Sequence, residues 1–321
     1  MKVFVITEDV NPQMIRNHLD DSMEFHNLPC KTEEEIIENC QEAECLVTVY
    51  EPLSAGVLDK LPNLKYICSA AIGFNNIDVN HAVKNGVFVS NNPFYCIEEV
   101  ADHTMSLALD LVRKTSLFNR DVKEKKVWDY QAYGNSLFRM SSQVIGLIGF
   151  GGIAREVSKR FLGFGCTVLA YDPFVNESVF DSGGVSKASL EEIQKNADII
   201  SIHLPLNDET NRMINHDFFT ELAKSPFLIN CSRGQLIDQS AIKEALDCDY
   251  IKGIALDVLD DEYPRLEEID FIEDDRVVIT PHVAFFSQSS IDEADYNVAD
   301  YINMFAKDEI DRIPMVGKPL R

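Results

Sequence analysis

Arg233, Asp257, Glu262 and His282 are the residues whose types and places suggest chemistry, because each stands at or shortly beyond the end of an apolar run that reads as a buried strand. An arginine fork is always protonated and matches a carboxylate in bidentate fashion. His282 follows Thr280-Pro281, where the proline fixes the backbone and so the direction of the imidazole. Glu262 can hold one ring nitrogen, set the tautomer and favour the protonated ring, so that the other nitrogen donates near neutrality. Such a set describes reduction of a 2-oxo acid: Arg233 binds the carboxylate and polarises the carbonyl, and His282 protonates the developing alkoxide. Asp257 is a candidate acceptor for a nicotinamide carboxamide. Plainer readings stand beside these, His282 as a loop histidine with an ordinary partner and Glu262 as a solvated surface acid. Cys231 lies close to Arg233, but no histidine besides His282 is available to activate it as a nucleophile.

A hydride carrier is implied by Val144 to Asp172, VIGLIGFGGIAREVSKRFLGFGCTVLAYD. An apolar strand enters Gly149, Gly151 and Gly152, a helical segment follows, and a second strand ends at Asp172. Gly149 makes the turn, Gly151 admits the pyrophosphate against the backbone, and the helix start offers unpaired N–H groups to its charge. Ala154 occupies the third small position. Asp172 lies 23 residues after Gly149, where a carboxylate accepts from ribose hydroxyls and repels a 2′-phosphate, so NAD is expected over NADP.

Strands are predicted over 2–7, 44–50, 64–71 and 87–90, with helical segments at 32–40 and 54–60 between them. One long helix is predicted over 98–120. After the glycine stretch, strands at 197–203, 227–230, 251–257 and 277–280 alternate with helices at 190–195, 216–222 and 239–246, and a last amphipathic helix covers 290–305. The expected fold class is α/β. A Rossmann-type, doubly wound parallel sheet domain (99–290) is inserted into a smaller flavodoxin-like α/β domain (1–98 plus 291–321), with linking helices near 97–120 and 290–305. Trp128, Tyr130, Tyr133 and Phe138 fall in a polar stretch, 123–142, as candidates for a subunit interface or a satellite core contact.

A chain of 321 residues with 45% in the hydrophobic class has material for two cores. The formal charge of −24 argues against nucleic acid and anionic membranes as partners, and it requires local donors such as Arg233 to overcome the global field wherever an anion binds. No apolar run approaches the length of a membrane span, and a cytoplasmic setting is expected. The eight cysteines show no CxxC spacing and read as buried thiols, and no metal site is expected.

The segments IGFNNID (72–78), NNPFYCIEEVADHT (91–104), GLIGFGGIA (146–154), HLPLNDET (203–210), LINCSRGQLID (228–238), ALDVLDDEYP (255–264) and TPHVAFFSQSS (280–290) together resemble the D-isomer-specific 2-hydroxyacid dehydrogenases over nearly the whole chain. That resemblance implies a substrate arginine at Arg233, its acid/base at His282 and the histidine's partner at Glu262. It implies cofactor contacts at Thr104, Gly149, Gly151, Gly152, Ile153, Asp172, Pro173, His203, Leu204, Pro205, Thr210, Cys231, Ser232, Arg233, Asp257 and His282. Backbone N–H groups at Ala71, Ile72 and Gly73 become a second anchor for the substrate carboxylate. Tyr95 and Phe285 are placed either in the side-chain pocket or in hinge packing. The D configuration, closure between domains and a homodimer through the nucleotide-binding domain are also implied. Relatives often carry a basic residue near Ser69, and its absence weighs against a phosphorylated substrate, although phosphoglycerate dehydrogenase-like activity stays open. The HVAFFSQSS and EEVADHT segments also resemble the C-terminal-binding-protein branch, which implies a rival role as an NAD-responsive regulatory or corepressor-like protein.

Overall fold

The computed structural model describes residues 1–181 and 183–319, so the last two residues of the expected 291–321 segment lie outside it. Contacts divide the chain into two compact units, Met1–Cys96 with the chain from Phe286 onward, and Ile97–Phe285.

The first unit is built on strands β1 (Lys2–Val5), β2 (Glu24–Asn27), β3 (Cys45–Thr48), β4 (Tyr66–Ser69) and β5 (Phe88–Ser90), in the order β2-β1-β3-β4-β5. All of these neighbours pair in parallel, and Met315–Gly317 adds an antiparallel edge beside β5. This is the flavodoxin-like order. β3 and β4 are buried at every residue because both faces of a parallel sheet are covered. One face packs Ile36, Val57 and Leu58 from the crossover helices. The other packs Val298, Ala299 and Ile302 of the helix Gln288–Ala306, whose Phe305 ring stacks on Tyr66 at 4.4 Å. That helix begins at a capping box between Ser287 and Ser290.

The second unit carries β6 (Val144–Ile148), β7 (Thr167–Tyr171), β8 (Ser186–Lys187), β9 (Ile199–Ile202), β10 (Phe227–Asn230), β11 (Gly253–Leu256) and β12 (Val277–Ile279). Their order, β12-β11-β10-β9-β6-β7-β8, is parallel throughout and is that of a Rossmann sheet with an added edge strand. The order reverses between β6 and β9, which makes the carboxyl edge there the switch point where ligands bind.

The predicted helix over 98–120 is corrected. It breaks at Lys114, which adopts a left-handed φ of 54°, into Ile97–Arg113 and Thr115–Arg120, followed by a π-helical turn at Asp121–Lys125. Asp110 is the physical reason: its carboxylate accepts from both the N–H and the hydroxyl of Ser116, at 2.7 and 2.5 Å, and caps a new helix start. Other elements were not foreseen. β2 is a half-exposed edge strand without an apolar run, and Pro12–His18 and Val79–Lys84 are helices of a turn or two with one buried residue each.

All eight cysteines are free thiols, and Cys248 alone among them is exposed. No helix among the described residues is long and apolar enough to cross a membrane.

Candidate active site

Strand register sets the site. Ile148 pairs with Ile202, Ile202 with Asn230, Asn230 with Leu256 and Leu256 with Ile279. The residues that follow, Gly149, His203, Cys231, Asp257 and Thr280, therefore line one edge of the sheet in a row.

The first loop on that edge is the glycine turn. Gly149 has φ +91°, donates its N–H to Tyr171 at 2.8 Å, and lies so close to His203 that a Cβ would sit 2.4 Å from the His203 carbonyl oxygen. Only glycine satisfies both conditions. Gly151 differs: its φ is −73° and a Cβ would meet nothing within 4 Å. Neither the backbone nor the packing requires glycine there, which fits a position kept bare for a pyrophosphate to approach the start of the helix Gly152–Gly163. Ile153 lies in the first turn of that helix, and Ala154 is fully buried behind it. Asp172 holds the turn from the next strand, accepting from Phe150 N–H and from Phe174 N–H, each at 2.9 Å, with the exposed Pro173 between. A carboxylate offers more lone pairs than these two bonds use, so ribose hydroxyls can still be accepted. Arg155, which the sequence reading overlooked, reaches back from the first helical turn to the carbonyls of Phe150 and Gly151, both at 3.3 Å.

Around the middle of the row, His203 donates its N–H to Ile148 and sets its ring on Ser201 at 2.9 Å. Burial pushes its imidazole down to about 4, so it is neutral near pH 7. Leu204 and Pro205 follow, and Thr210 closes their loop by donating to the Pro205 carbonyl at 2.7 Å. Cys231 is buried, which pushes its thiol up to about 12 and removes it as a nucleophile. Thr104 beneath it is fully buried and donates to Val100 at 2.7 Å.

Arg233 is placed by a residue that the sequence reading missed. Asn230, fully buried, accepts from Ser232 N–H at 3.0 Å and donates to the Arg233 carbonyl at 2.8 Å, while the Ser232 hydroxyl donates to Ile202. The half-buried Arg233 guanidinium donates to Ser232 at 2.6 Å, and the rest of its fork has no acceptor among the described residues. At Gly234 a Cβ would fall 1.9 Å from the Leu259 carbonyl oxygen, so the backbones of the two loops touch. Gln235 ties them further by donating to Asp260 at 2.6 Å. The Arg233 loop is thereby joined to the segment that carries Glu262.

The last loop runs from Thr280 to Ala284. Asp257, 1% exposed, accepts from Thr280 Oγ1 at 2.5 Å and from the N–H groups of Val283 and Ala284 at 2.9 Å. Its carbonyl accepts from His282 N–H at 2.7 Å. His282 itself has φ +50°, a conformation costing a non-glycine residue about 1–2 kcal/mol, which these bonds offset. Its Nδ1 donates to Glu262 Oε2 at 2.6 Å, and Phe285 meets the ring edge-on at 5.7 Å. Burial alone would raise the Glu262 carboxyl, yet the His282 hydrogen bond and the charges of His282 and Arg233 hold it below its ordinary range. The Glu262 carboxylate thus feels both His282 and Arg233. Asp257 has a task that the sequence did not reveal, bracing the loop that carries His282.

Ala71, Ile72, Gly73 and Tyr95 belong to the other unit. Ser69, fully buried at the end of β4, donates toward the carbonyls of Ala71 and Gly73 and accepts from Ala71 N–H at 3.3 Å. Asn91 donates to the Ile72 carbonyl at 2.8 Å. The N–H groups of Ile72 and Gly73 have no acceptor among the described residues. Tyr95 is buried, 8% exposed.

A Rossmann sheet bearing this glycine turn and this arginine–glutamate–histidine set defines a nucleotide-dependent oxidoreductase class. The family model of the D-isomer specific 2-hydroxyacid dehydrogenase NAD binding domain matches residues 105–284. A glyoxylate reductase of Korarchaeum cryptofilum is 32% identical over 285 residues, covering 86% of this chain and 83% of that protein. A D-3-phosphoglycerate dehydrogenase of Bacillus subtilis is also 32% identical, over 90% of this chain but 56% of its own length. This chain therefore spans only about half of that relative. A solved D-lactate dehydrogenase of Aquifex aeolicus, in complex with NAD and lactic acid, matches all of both chains with a TM-score of 0.88 at 28% identity. The chain belongs to the D-isomer-specific 2-hydroxyacid dehydrogenase family, and its second unit is that family's NAD-binding domain.

Proposed function

We propose that the protein interconverts a small 2-oxo acid and its D-2-hydroxy acid. The observation that supports this most is the 2.6 Å bond from His282 Nδ1 to a Glu262 carboxylate that also feels Arg233, on the carboxyl edge of a dinucleotide-binding sheet. When bound, NADH supplies the hydride that reduces the carbonyl carbon. Arg233 pairs with the substrate carboxylate and draws electron density from the adjacent carbonyl. His282, with Nδ1 held by Glu262, gives the Nε2 proton to the oxygen as the hydride arrives. The oxygen becomes a hydroxyl and the ring is left neutral. In the oxidative direction the same nitrogen takes the hydroxyl proton. The N–H groups of Ile72 and Gly73 are proposed as a second carboxylate anchor, and Phe285 and Tyr95 as side-chain contacts. Asp172 favours NAD(H) over NADP(H) through ribose bonding and charge.

The Ser69 hydroxyl is committed to its own loop, which supports an unphosphorylated acid such as glyoxylate, pyruvate or hydroxypyruvate. A groove lined by Met105, Leu109 and Phe164, together with the exposed Trp128 and Tyr130 of the same unit, supports a homodimer through the NAD-binding domain; a monomeric mass by light scattering would remove that proposal. Buried free thiols suit a cytoplasmic setting.

The test is a reduction screen over 2-oxo acids with NADH and with NADPH, on the wild type and on His282→Ala. Turnover with NADH is expected with at least one small acid, falling by about 10²–10⁴-fold in the variant while NADH still binds. Tight NADH binding without turnover of any acid would move the protein to a regulatory role.

A further inference from the structure

His103 lies on the helix Ile97–Arg113, outside every role assigned so far, with its side chain 22% exposed. Its Nε2 is 3.0 Å from Thr280 Oγ1 and 3.5 Å from Asp257 Oδ1. The proton positions follow from the partners. Thr280 has a single hydroxyl proton, and the 2.5 Å contact to the Asp257 carboxylate claims it. Thr280 Oγ1 is therefore an acceptor toward the ring, and His103 must carry hydrogen on Nε2 and donate it. Hydrogen bonds run from His103 to Thr280 to Asp257, and the N–H groups of Val283 and Ala284, which follow the left-handed His282, donate to the same carboxylate.

We propose that His103 is a positioning residue for His282, acting through Thr280 and Asp257. Hydrogen bonds in a series polarise one another as far as the carboxylate, so His103 makes Thr280 a stronger donor to Asp257 and fixes the orientation in which that buried carboxylate meets the two N–H groups. Without the imidazole, Thr280 Oγ1 loses the donor that fixes its hydroxyl toward Asp257, and the carboxylate keeps Val283 and Ala284 as its dependable partners. Loss of the imidazole loosens the bracket around His282 while leaving Arg233 alone, because the Arg233 loop is held by Asn230 and the close contact at Gly234. His103 touches neither substrate nor the reacting atoms in this account, which rests on His282 being the acid/base of the proposed reduction.

The experiment uses the 321-residue chain as His103→Ala, His103→Gln, Thr280→Val and the double variant His103→Ala/Thr280→Val. Glutamine keeps an N–H donor at the distance of Nε2. For His103→Ala, kcat with the best 2-oxo acid is expected to fall about 10- to 100-fold with KM nearly unchanged, and the solvent deuterium isotope effect on kcat should rise because proton transfer becomes limiting. His103→Gln should recover most of the loss. The double variant should be no slower than the slower single variant, since both cut one chain. Amide hydrogen exchange supplies a readout that needs no turnover: Val283 and Ala284 should exchange at least about tenfold faster in His103→Ala and stay near wild type in His103→Gln. Independent losses that multiply in the double variant, or unchanged exchange at Val283 and Ala284, would overturn the proposal. A wild type that reduces no 2-oxo acid would overturn the reaction instead, with exchange still deciding what His103 does.

Discussion

The glycine turn and the His282 loop leave the same edge of one sheet, yet they are made in opposite ways. At the turn, the decisive features are atoms that are missing. Gly149 takes φ +91° against the His203 carbonyl, and Gly151 leaves bare space in front of a helix start. At the other loop, the decisive features are atoms that are present. His282 takes φ +50° without being glycine, because the Asp257 carboxylate, 25 residues earlier in the chain, collects Thr280, Val283 and Ala284 around it. The residues that mark the first design stand in one short run of sequence, whereas the second shows only in bonds that close after β11 and β12 have paired.

Three substitutions test that contrast, in decreasing order of effect. Gly149→Val adds a branched side chain where even a Cβ meets backbone, and should cost several kcal/mol of stability and abolish NADH binding. Thermal melting with fluorescence titration reads both, and a normal melt with normal binding would dissolve the distinction. Asp257→Asn keeps the shape but turns one acceptor into a donor facing N–H and O–H groups. Turnover should fall by roughly 10²-fold, from about 2–3 kcal/mol of lost bonding, while NADH binding weakens much less. Equal losses in the two would mean that Asp257 serves the cofactor and not the loop.

Asp295 of the first unit supplies the third test, as a buried aspartate without such a bracket. It is 1% exposed, its Oδ2 accepts from Asn11 N–H at 3.1 Å, and its buried Oδ1 has no hydrogen-bond partner among the described residues. Burial, aided by Asp292 and opposed by the Asn11 bond, raises its carboxyl from 3.8 to about 6. Because the folded chain holds this proton more tightly than the unfolded one, its contribution to stability is full below about pH 4 and is lost as pH rises through 6. Asp295→Asn, neutral and still an acceptor, should therefore stabilise the protein by about 1–3 kcal/mol at pH 7.5 and by almost nothing at pH 4. A pH-independent change in melting temperature would contradict it.

The same contrast explains what was legible in the sequence. GFGGIA and Asp172 declare their function locally, and apolar runs such as FLIN and GIAL locate the strands, so the row of loops at their ends follows. Arg233, Glu262 and His282 could be picked out as strand-end polar groups. Asn230, Thr280 and His103 could not, because each matters through a partner brought close only by folding. The one available signal for His103 was its place next to Thr104 and three residues after Val100, on a helix face otherwise turned inward. The break at Lys114 was hidden because Asp110 and Ser116 cap a new helix without interrupting the apolar period.

The burial of the cysteines has a practical reach. Seven of the eight thiols are enclosed and Cys248, after the helix Ile242–Asp247, is exposed. Toward a maleimide reagent, the native protein should behave as a single-thiol protein. A fluorophore or spin probe can be attached to the NAD-binding unit without engineering, at a residue separate from the loops that carry Arg233 and His282.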